Sequence, residues 1–144
     1  ELGKEDLKTV SEEGSIETEK YMKIEKYSHV MHLVATVSGK LKEGLDSVDA
    51  FKSCFPAGTV SGSPRKRSME IIEELESVKR EVYSGAVGYF SFNGDIDFCI
   101  GIRSAIFKDN KVYIQAGAGI VSDSKPELEY KETINKAKAL IEVV

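Results

Sequence analysis

The hydrophobic pattern of the first half of the chain contains one strand signal and two helix signals. Tyr27–Val37 is rich in β-branched, aromatic and apolar residues, which favours a strand. Asp46–Cys54 is typical of a short capped helix. A second helix is predicted from Pro64 to Val78, because Ser63 supplies a cap and the apolar residues share one broad side. The segment between these helices, FPAGTVSGSP, is rich in small residues, which indicates that something approaches its backbone closely.

The pattern of the second half predicts an antiparallel meander followed by a helix. Strands are predicted over Val82–Phe92, Ile96–Phe107 and Lys111–Val121, since Asn-Gly and Asp-Asn pairs typical of hairpins separate them. Pro126–Val143 carries apolar residues at helical spacing after the candidate cap Ser124. The predicted fold class is therefore α+β, with an antiparallel sheet and helices packed on one face.

Composition bounds the size and the environment of the domain. The 144 residues, 41% of them apolar, are enough for one ordinary core. Residues 1–20 carry many charges and few apolar side chains, so we expect them to be loosely ordered and the domain to occupy residues 21–144. Cys54 and Cys99 lie far apart with no metal-binding spacing, which favours buried, reduced thiols.

Charge and hydropathy exclude two classes of partner and suggest a location. The formal net charge is −4 and no basic face is evident, so we expect no nucleic-acid partner. No apolar run approaches the roughly 20 residues that span a bilayer, and no leader pattern opens the chain. We therefore expect no membrane association and a cytoplasmic location.

Acidic residues and glycines supply the first candidate chemistry. Glu129 and Glu132, three positions apart on the last predicted helix, can reach one hard cation such as Mg²⁺. First-turn acids also complement the helix dipole, which is the alternative role. Gly117 and Gly119 weaken a predicted strand, so they indicate either close backbone approach or sheet packing.

Four other residues are candidates only in combination. Arg103, among apolar strand residues, must reach the surface, pair with an acid or bind an anion. His32 can transfer protons near neutral pH, or it is a core histidine. Thr59 and Tyr83, taken singly, fit a loop residue and a sheet aromatic. Together the arginine, the glycine strand, the small-residue loop and the acidic pair describe a site for a small polyanion held through Mg²⁺.

Four motifs in the same order carry a resemblance to a known family. They are YSHVMHLVATVSG, FPAGTVSGSPRKRSMEIIEELE, YSGAVGYFSFNGDIDFCIGIRSA and QAGAGIVSDSKPELEYKETINKAKAL. The sequence resembles the C-terminal half of the catalytic domain of the chorismate-utilising enzymes, most of all their anthranilate synthase branch, with the aminodeoxychorismate synthase branch as a near relative. The resemblance implies a two-sheet sandwich, of which this chain is half.

The resemblance also implies a reaction and a role for each candidate residue. Ammonia adds to the chorismate ring, water is lost, and pyruvate is eliminated to give anthranilate. His32 assists departure of the C4 hydroxyl and Thr59 lies beside the ammonia, while GTVSG favours ammonia over water as nucleophile. The implied chorismate-binding residues are Tyr83, Arg103, Ala118, Gly119 and Lys136, and the implied Mg²⁺ ligands are Glu129 and Glu132.

Members of this family are longer than this chain, so we expect the chain to correspond to only part of the enzyme. The segment before the histidine strand supplies further metal ligands in the family, and we expect no match to it in residues 1–21. The chain departs from the family at Ser84, usually Gly, and at Phe98, usually Thr. We expect a fragment with little activity alone that self-associates through an exposed sheet face. In the full-length enzyme a glutamine amidotransferase subunit is the implied partner. The alternative is a non-catalytic module that only binds chorismate-like anions.

Overall fold

The computed structural model describes residues 1–26 and 31–144, which form helices and short strands. In chain order the elements are α1 Leu2–Lys8, β1 Glu17–Lys26, β2 Met31–Ser38, α2 Ser47–Cys54, α3 Gly58–Ser61, α4 Arg65–Leu75, β3 Ala86–Phe90, β4 Ile96–Ile100, β5 Ala105–Lys108, β6 Lys111–Ile114 and α5 Pro126–Ile141. This mixture of helices and antiparallel strands confirms the predicted α+β class.

The sheet topology differs from the single meander that the turns predicted. Within the described ranges the strands pair two by two, as β1 with β2, β3 with β4, and β5 with β6. The segment predicted as one strand over Ile96–Phe107 is divided into β4 and β5. Arg103, between them, has a φ of 50°, a left-handed conformation outside the β region that interrupts the regular strand. Backbone conformation at the break therefore overrides the apolar pattern.

The chain divides into two compact units. The first comprises Glu1–Gly58 and Gly88–Phe98, and the second comprises Thr59–Val87 and Cys99–Val144. The tip of the β3–β4 hairpin therefore belongs to the first unit, and its base belongs to the second. None of the helices in the described residues has the length and hydrophobicity that a membrane span requires. Cys54 and Cys99 are free thiols, as predicted, but both are exposed and not buried.

The N-terminal segment of the first unit is more ordered than its composition indicated. We predicted residues 1–20 to be loosely attached, but helix α1 forms there and β1 already begins at Glu17. The Lys42 amide donates to the Val10 carbonyl at 2.9 Å, and the Glu12 amide donates to the Lys40 carbonyl at 2.8 Å. Val10 is buried as a result. These contacts are distant in sequence, which is why local composition did not predict them.

A cluster of phenylalanines packs the first unit around the tip of the β3–β4 hairpin. Phe51 of α2 stacks on Phe55 at 5.3 Å between ring centroids and contacts Phe98 at 4.6 Å. Phe90 meets the Phe98 ring edge to face at 4.9 Å. Such aromatic pairs contribute about 0.5–1.5 kcal/mol each beyond their buried area. Phe98, a departure from the family pattern, thus contributes to packing.

The histidine strand pairs with β1 and exposes an apolar face. The strand predicted over Tyr27–Val37 is present as β2, with residues 27–30 outside the described residues. Ile24 pairs with Leu33, and Met31 lies two positions away on the same face. These three side chains are 62–69% exposed. The exposed sheet face that we predicted is therefore present in this hairpin.

Helices α2, α4 and α5 confirm the predicted helices, with different caps at two of them. Asp46 caps α2 through the amides of Val48 and Asp49 in a reciprocal capping box. By contrast, α4 begins at Arg65 and Ser63 does not cap it. Ser124 does not cap α5 either, because its hydroxyl accepts a hydrogen bond from the Val121 amide. Pro126 occupies the first turn of α5, as predicted.

Candidate functional site

The base of the β3–β4 hairpin, in the second unit, brings Tyr83 and Arg103 together. The Ser84 amide donates to the Gly101 carbonyl, and the Gly101 amide donates to the Gly85 carbonyl, both at 2.9 Å. A side chain at Gly101 would meet the Val82 carbonyl oxygen at 2.3 Å, so only glycine fits there. These bonds place the turn that carries Tyr83 beside the bend that carries Arg103.

Tyr83 lies in this turn, before β3 begins, and not within the strand that the sequence predicted. Burial raises the pKa of its phenol, and the positive charges of Arg80 and Arg103 oppose that rise. Arg103 itself is exposed. Tyr83 therefore stays a neutral hydrogen-bonding group near two guanidinium groups, an arrangement suited to binding an anion.

The glycine segment predicted as a strand runs beyond the end of β6 and lies against Tyr83. A methyl group at Gly117 would lie 2.7 Å from the Tyr83 hydroxyl oxygen, whereas a methyl group at Gly119 would meet nothing within 4 Å. Of the two explanations for these glycines, close approach therefore applies to Gly117. Ala118 lies between the two and is partly buried.

Lys136 of α5 links the glycine segment to an acidic residue. Its ammonium group donates to the Gly117 carbonyl at 3.0 Å and pairs with the Glu132 carboxylate at 2.5 Å. The Lys136 side chain is only 23% exposed, so its charge is partly withdrawn from solvent. The structure thus joins Lys136, Glu132 and the Gly117 backbone in one place.

Two clefts adjoin the glycine segment on either side of Ala118. One, of about 420 Å³, is lined by Glu76, Arg80 and Tyr83 together with residues 115–118. The other, of about 360 Å³, is lined by Glu129, Tyr130 and Thr133 of α5 together with Ala118. Both are open to solvent, and two of the predicted substrate-binding residues, Tyr83 and Ala118, line them.

Glu129 and Glu132 carry the kind of donor atom that a Mg²⁺ site needs. Carboxylate oxygens are the hard donors that Mg²⁺ prefers, and Mg²⁺ is commonly held by one or two carboxylates while it keeps several waters. The two residues fit that donor set. Across residues 1–26 and 31–144, no group of three or more acidic, histidine or cysteine side chains is arranged for a metal. Glu132 would have to exchange or share its contact with Lys136.

Thr59 lies in α3, a single helical turn inside the small-residue segment, and its side chain is exposed. The neighbouring Val60 carbonyl accepts a hydrogen bond from Arg80 Nη1 at 2.8 Å. The sequence interpretation did not single out Arg80. The signal was present, because Glu76 precedes Arg80 by four positions, a spacing typical of ion pairs.

His32 belongs to the first unit, on β2. It lies opposite Glu25 in the sheet register, and its side chain is partly buried. The other eight predicted site residues belong to the second unit, where Tyr83, Arg103, Ala118, Gly119, Lys136 and Glu132 lie on adjoining segments.

Sequence comparison supplies independent information about the same residues. A family profile described as chorismate binding enzyme matches residues 1–142. The chain is 53% identical over all 144 residues to anthranilate synthase component 1 of Aquifex aeolicus, and 54% identical over the same length to that of Acetivibrio thermocellus. It spans 29% of each of these curated relatives. The match includes residues 1–21, for which we had expected none.

Structure comparison gives the same grouping. The crystal structure of anthranilate synthase component I from Streptococcus pneumoniae matches with a TM-score of 0.90 at 51% identity, covering 96% of this chain and 32% of that one. A Bacillus anthracis structure, assigned to a 2,3-dihydroxybenzoate-specific isochorismate synthase, matches with a TM-score of 0.84 at 30% identity, covering 94% of this chain and 37% of that one. Because the chorismate binding enzyme profile matches nearly the whole length of this chain, the chain belongs to the chorismate-binding enzymes.

Proposed function

We propose that this chain forms part of the active site of an anthranilate synthase component 1. The proposed reaction converts chorismate and ammonia into anthranilate, pyruvate and water. The observation that carries the proposal is the convergence of Lys136, Tyr83 and the Gly117 backbone beside Arg103 and Glu132. This set combines cationic and neutral donors with a carboxylate, which suits a dicarboxylate substrate accompanied by a metal ion.

In this proposal each residue has a role that follows from its chemistry. Arg103 and Tyr83 bind a carboxylate of chorismate, while Lys136 adds positive charge close to the Ala118 and Gly119 amides. His32 donates a proton to the departing C4 hydroxyl, and Thr59 hydrogen-bonds the ammonia.

Mg²⁺ is part of the proposal, with Glu129 and Glu132 as its ligands. When bound, it would neutralise negative charge on the substrate. Without it, two carboxylates three positions apart on α5 would oppose an anionic substrate. The ammonium of Lys136 already reduces that repulsion at Glu132.

The choice of product is supported by the relative similarities. Identity is 51% to an anthranilate synthase structure and 30% to the isochorismate synthase structure. The role in tryptophan biosynthesis, the glutamine amidotransferase partner and the cytoplasmic location belong to the same proposal. Self-association through the exposed face of β1–β2 stays a prediction that light scattering tests.

A chimera tests the proposed function directly. This chain would replace the matching 29% of the Aquifex aeolicus relative, and anthranilate formed from chorismate and ammonium would be followed by its fluorescence. We expect the chimera to form anthranilate. Chromatography would identify aminodeoxychorismate or isochorismate, either of which would contradict the proposal.

Substitutions in the chimera connect turnover to the site. We expect H32A and R103M each to lower kcat/KM at least about 100-fold, as losses of a proton donor and a charged anion ligand do. The matched control R67M changes an exposed arginine whose two acidic partners lie on its own helix. Equal activity of R103M and R67M would argue against the site.

A further inference from the structure

Arg80 makes contacts in three directions with one guanidinium group. Its Nε and Nη2 atoms donate to the Glu76 carboxylate, at 2.9 and 2.5 Å. Its Nη1 atom donates to the Val60 carbonyl at 2.8 Å, across 20 positions of sequence. Its central carbon lies 5.4 Å from the centre of the Tyr83 ring. All three nitrogens are therefore used, and the guanidinium carbon lies over an aromatic ring.

These contacts join two elements that carry proposed site residues. Val60 follows Thr59 in α3, so the Nη1 bond holds the turn that presents Thr59. The guanidinium also lies over the Tyr83 ring, and the Tyr83 amide donates to the Arg80 carbonyl at 2.8 Å. Arg80 therefore fixes the Thr59 turn and the Tyr83 ring with respect to one another.

A second arginine, Arg67, provides a contrast with Arg80. Arg67 binds two carboxylates, and its partners Glu70 and Glu74 both lie on α4 with it. Its side chain is 56% exposed, whereas that of Arg80 is 22% exposed. An exposed pair within one helix contributes about 0.5 kcal/mol or less. Arg80, partly buried and joined to separate segments, determines their relative position.

We propose that Arg80 is a positioning residue that holds the Thr59 turn against Tyr83 and so preorganises two sides of the substrate site. Its effect on the substrate rests on the function proposed above, whereas its effect on the turn and the ring does not. Lysine cannot replace it fully, because an ammonium group lacks the fork that reaches Glu76 and Val60 together.

The experiment compares R80M, R80K and the control R67M in the complete 144-residue chain. Titration of Tyr83 is followed by phenolate absorbance, with the Y83F variant subtracted to remove the other tyrosines. We expect R80M to raise the pKa of Tyr83 further, because a positive charge beside the ring is lost. R80K keeps the positive charge, so the pKa of Tyr83 in R80K should lie closer to that of wild type than in R80M. If Arg80 had a purely structural role, the lysine would not restore this pKa.

Amide hydrogen exchange provides the second measurement. We expect residues 59–62 to exchange at least about 10-fold faster in R80M and R80K, because the bond to the Val60 carbonyl is lost in both. R67M should match wild type in titration and exchange. If R80M does not fold, R80K and E76Q make the exchange comparison, since E76Q weakens the bidentate contact while leaving the guanidinium in place.

Chorismate affinity, measured with MgCl₂ present, separates this proposal from the proposed function. We expect R80M to bind chorismate about 10-fold more weakly and R67M to bind it as wild type does, since a lost charge-assisted bond commonly costs a factor of this order. Titration and exchange in R80M equal to those in R67M would overturn the positioning role. If the wild-type chain binds no chorismate, the proposed function fails, and the titration and exchange still decide the role of Arg80.

Discussion

The two units of the chain differ in the contacts that join distant segments within each of them. In the first unit, the described contacts that join distant segments include four phenylalanine rings, with Phe51 touching the other three. In the second unit, polar bonds join distant segments, from Arg80 to Val60 and from Lys136 to Gly117. Apolar packing tolerates small displacements, whereas hydrogen bonds fix direction as well as distance.

The difference accounts for where the candidate chemistry lies. Eight of the nine predicted site residues belong to the second unit, where charged groups already have fixed partners. The first unit contributes His32 on a strand whose apolar neighbours pair across the sheet. The predictions below test this contrast between an aromatic scaffold and a polar site, beginning with the largest expected effect.

Truncating the central ring should have the largest effect on stability. In F51A, contacts with three rings are lost, so we expect the free energy of unfolding to fall by about 2 kcal/mol, less than for a fully buried phenylalanine. Urea unfolding measures the change. The control F92A removes a fully exposed ring and should change stability by less than about 0.5 kcal/mol. Equal effects of the two variants would show that the cluster does not hold the unit together.

Removing the ammonium group of Lys136 should affect both stability and binding. K136M loses the bond to the Gly117 carbonyl and the pair with Glu132, so we expect a loss of about 1 kcal/mol. Chorismate affinity should fall as well, by about 10-fold. K138M, an exposed lysine on the same helix, is the matched control. A K136M variant that binds chorismate as tightly as K138M would contradict the assignment.

Relieving backbone strain beside Tyr83 should stabilise the second unit. Ser84 is buried and has a φ of 68°, a conformation in which most residues other than glycine are strained. The family usually has glycine there, and we expect S84G to raise the free energy of unfolding by about 1 kcal/mol. S84A keeps the strain and should behave as wild type does. A loss of stability in S84G would show that no strain is present at this position.

The smallest effect concerns stability at high pH. Because the pKa of folded Tyr83 is raised above its usual value of 10.0, the unfolded chain loses this proton first as pH increases. The contribution of Tyr83 to stability is therefore complete below pH 10 and is lost as pH rises toward the folded pKa. Urea unfolding at pH 9, 10 and 11 should show a steeper decline for wild type than for Y83F. Parallel declines would contradict the burial of this phenol.

Helices and local motifs could be predicted from sequence because their signals are local. Asp46 and the apolar residues after it specify α2, and Pro126 marks the start of α5. The ordered N-terminal segment could not be predicted, because it depends on Val10 meeting Lys42 across 32 positions. The break near Arg103 was missed for a similar reason, since the apolar residues on both sides continue the strand pattern.

The candidate site shows the same division between local and distant information. The pairing of Glu129 and Glu132 could be predicted from helical spacing. Close approach at Gly117 could be predicted because a glycine weakens the predicted strand. The convergence of these residues with Tyr83 depends on the close approach of Gly117 to Tyr83 and on the contacts of Lys136 with Gly117 and Glu132, which join segments distant in sequence. Arg80 was missed because the Glu76 spacing indicates only an ion pair. Its contacts with the Val60 carbonyl and the Tyr83 ring are known only from the structure.

Calorimetric titration of this chain with chorismate in the presence of MgCl₂ tests the central claim most directly. We predict a saturable heat at a single site, no anthranilate at an ordinary enzyme rate from the chain alone, and at least about 10-fold weaker binding in R103M. Absence of any saturable heat, or equal affinity in wild type and R103M, would contradict the account.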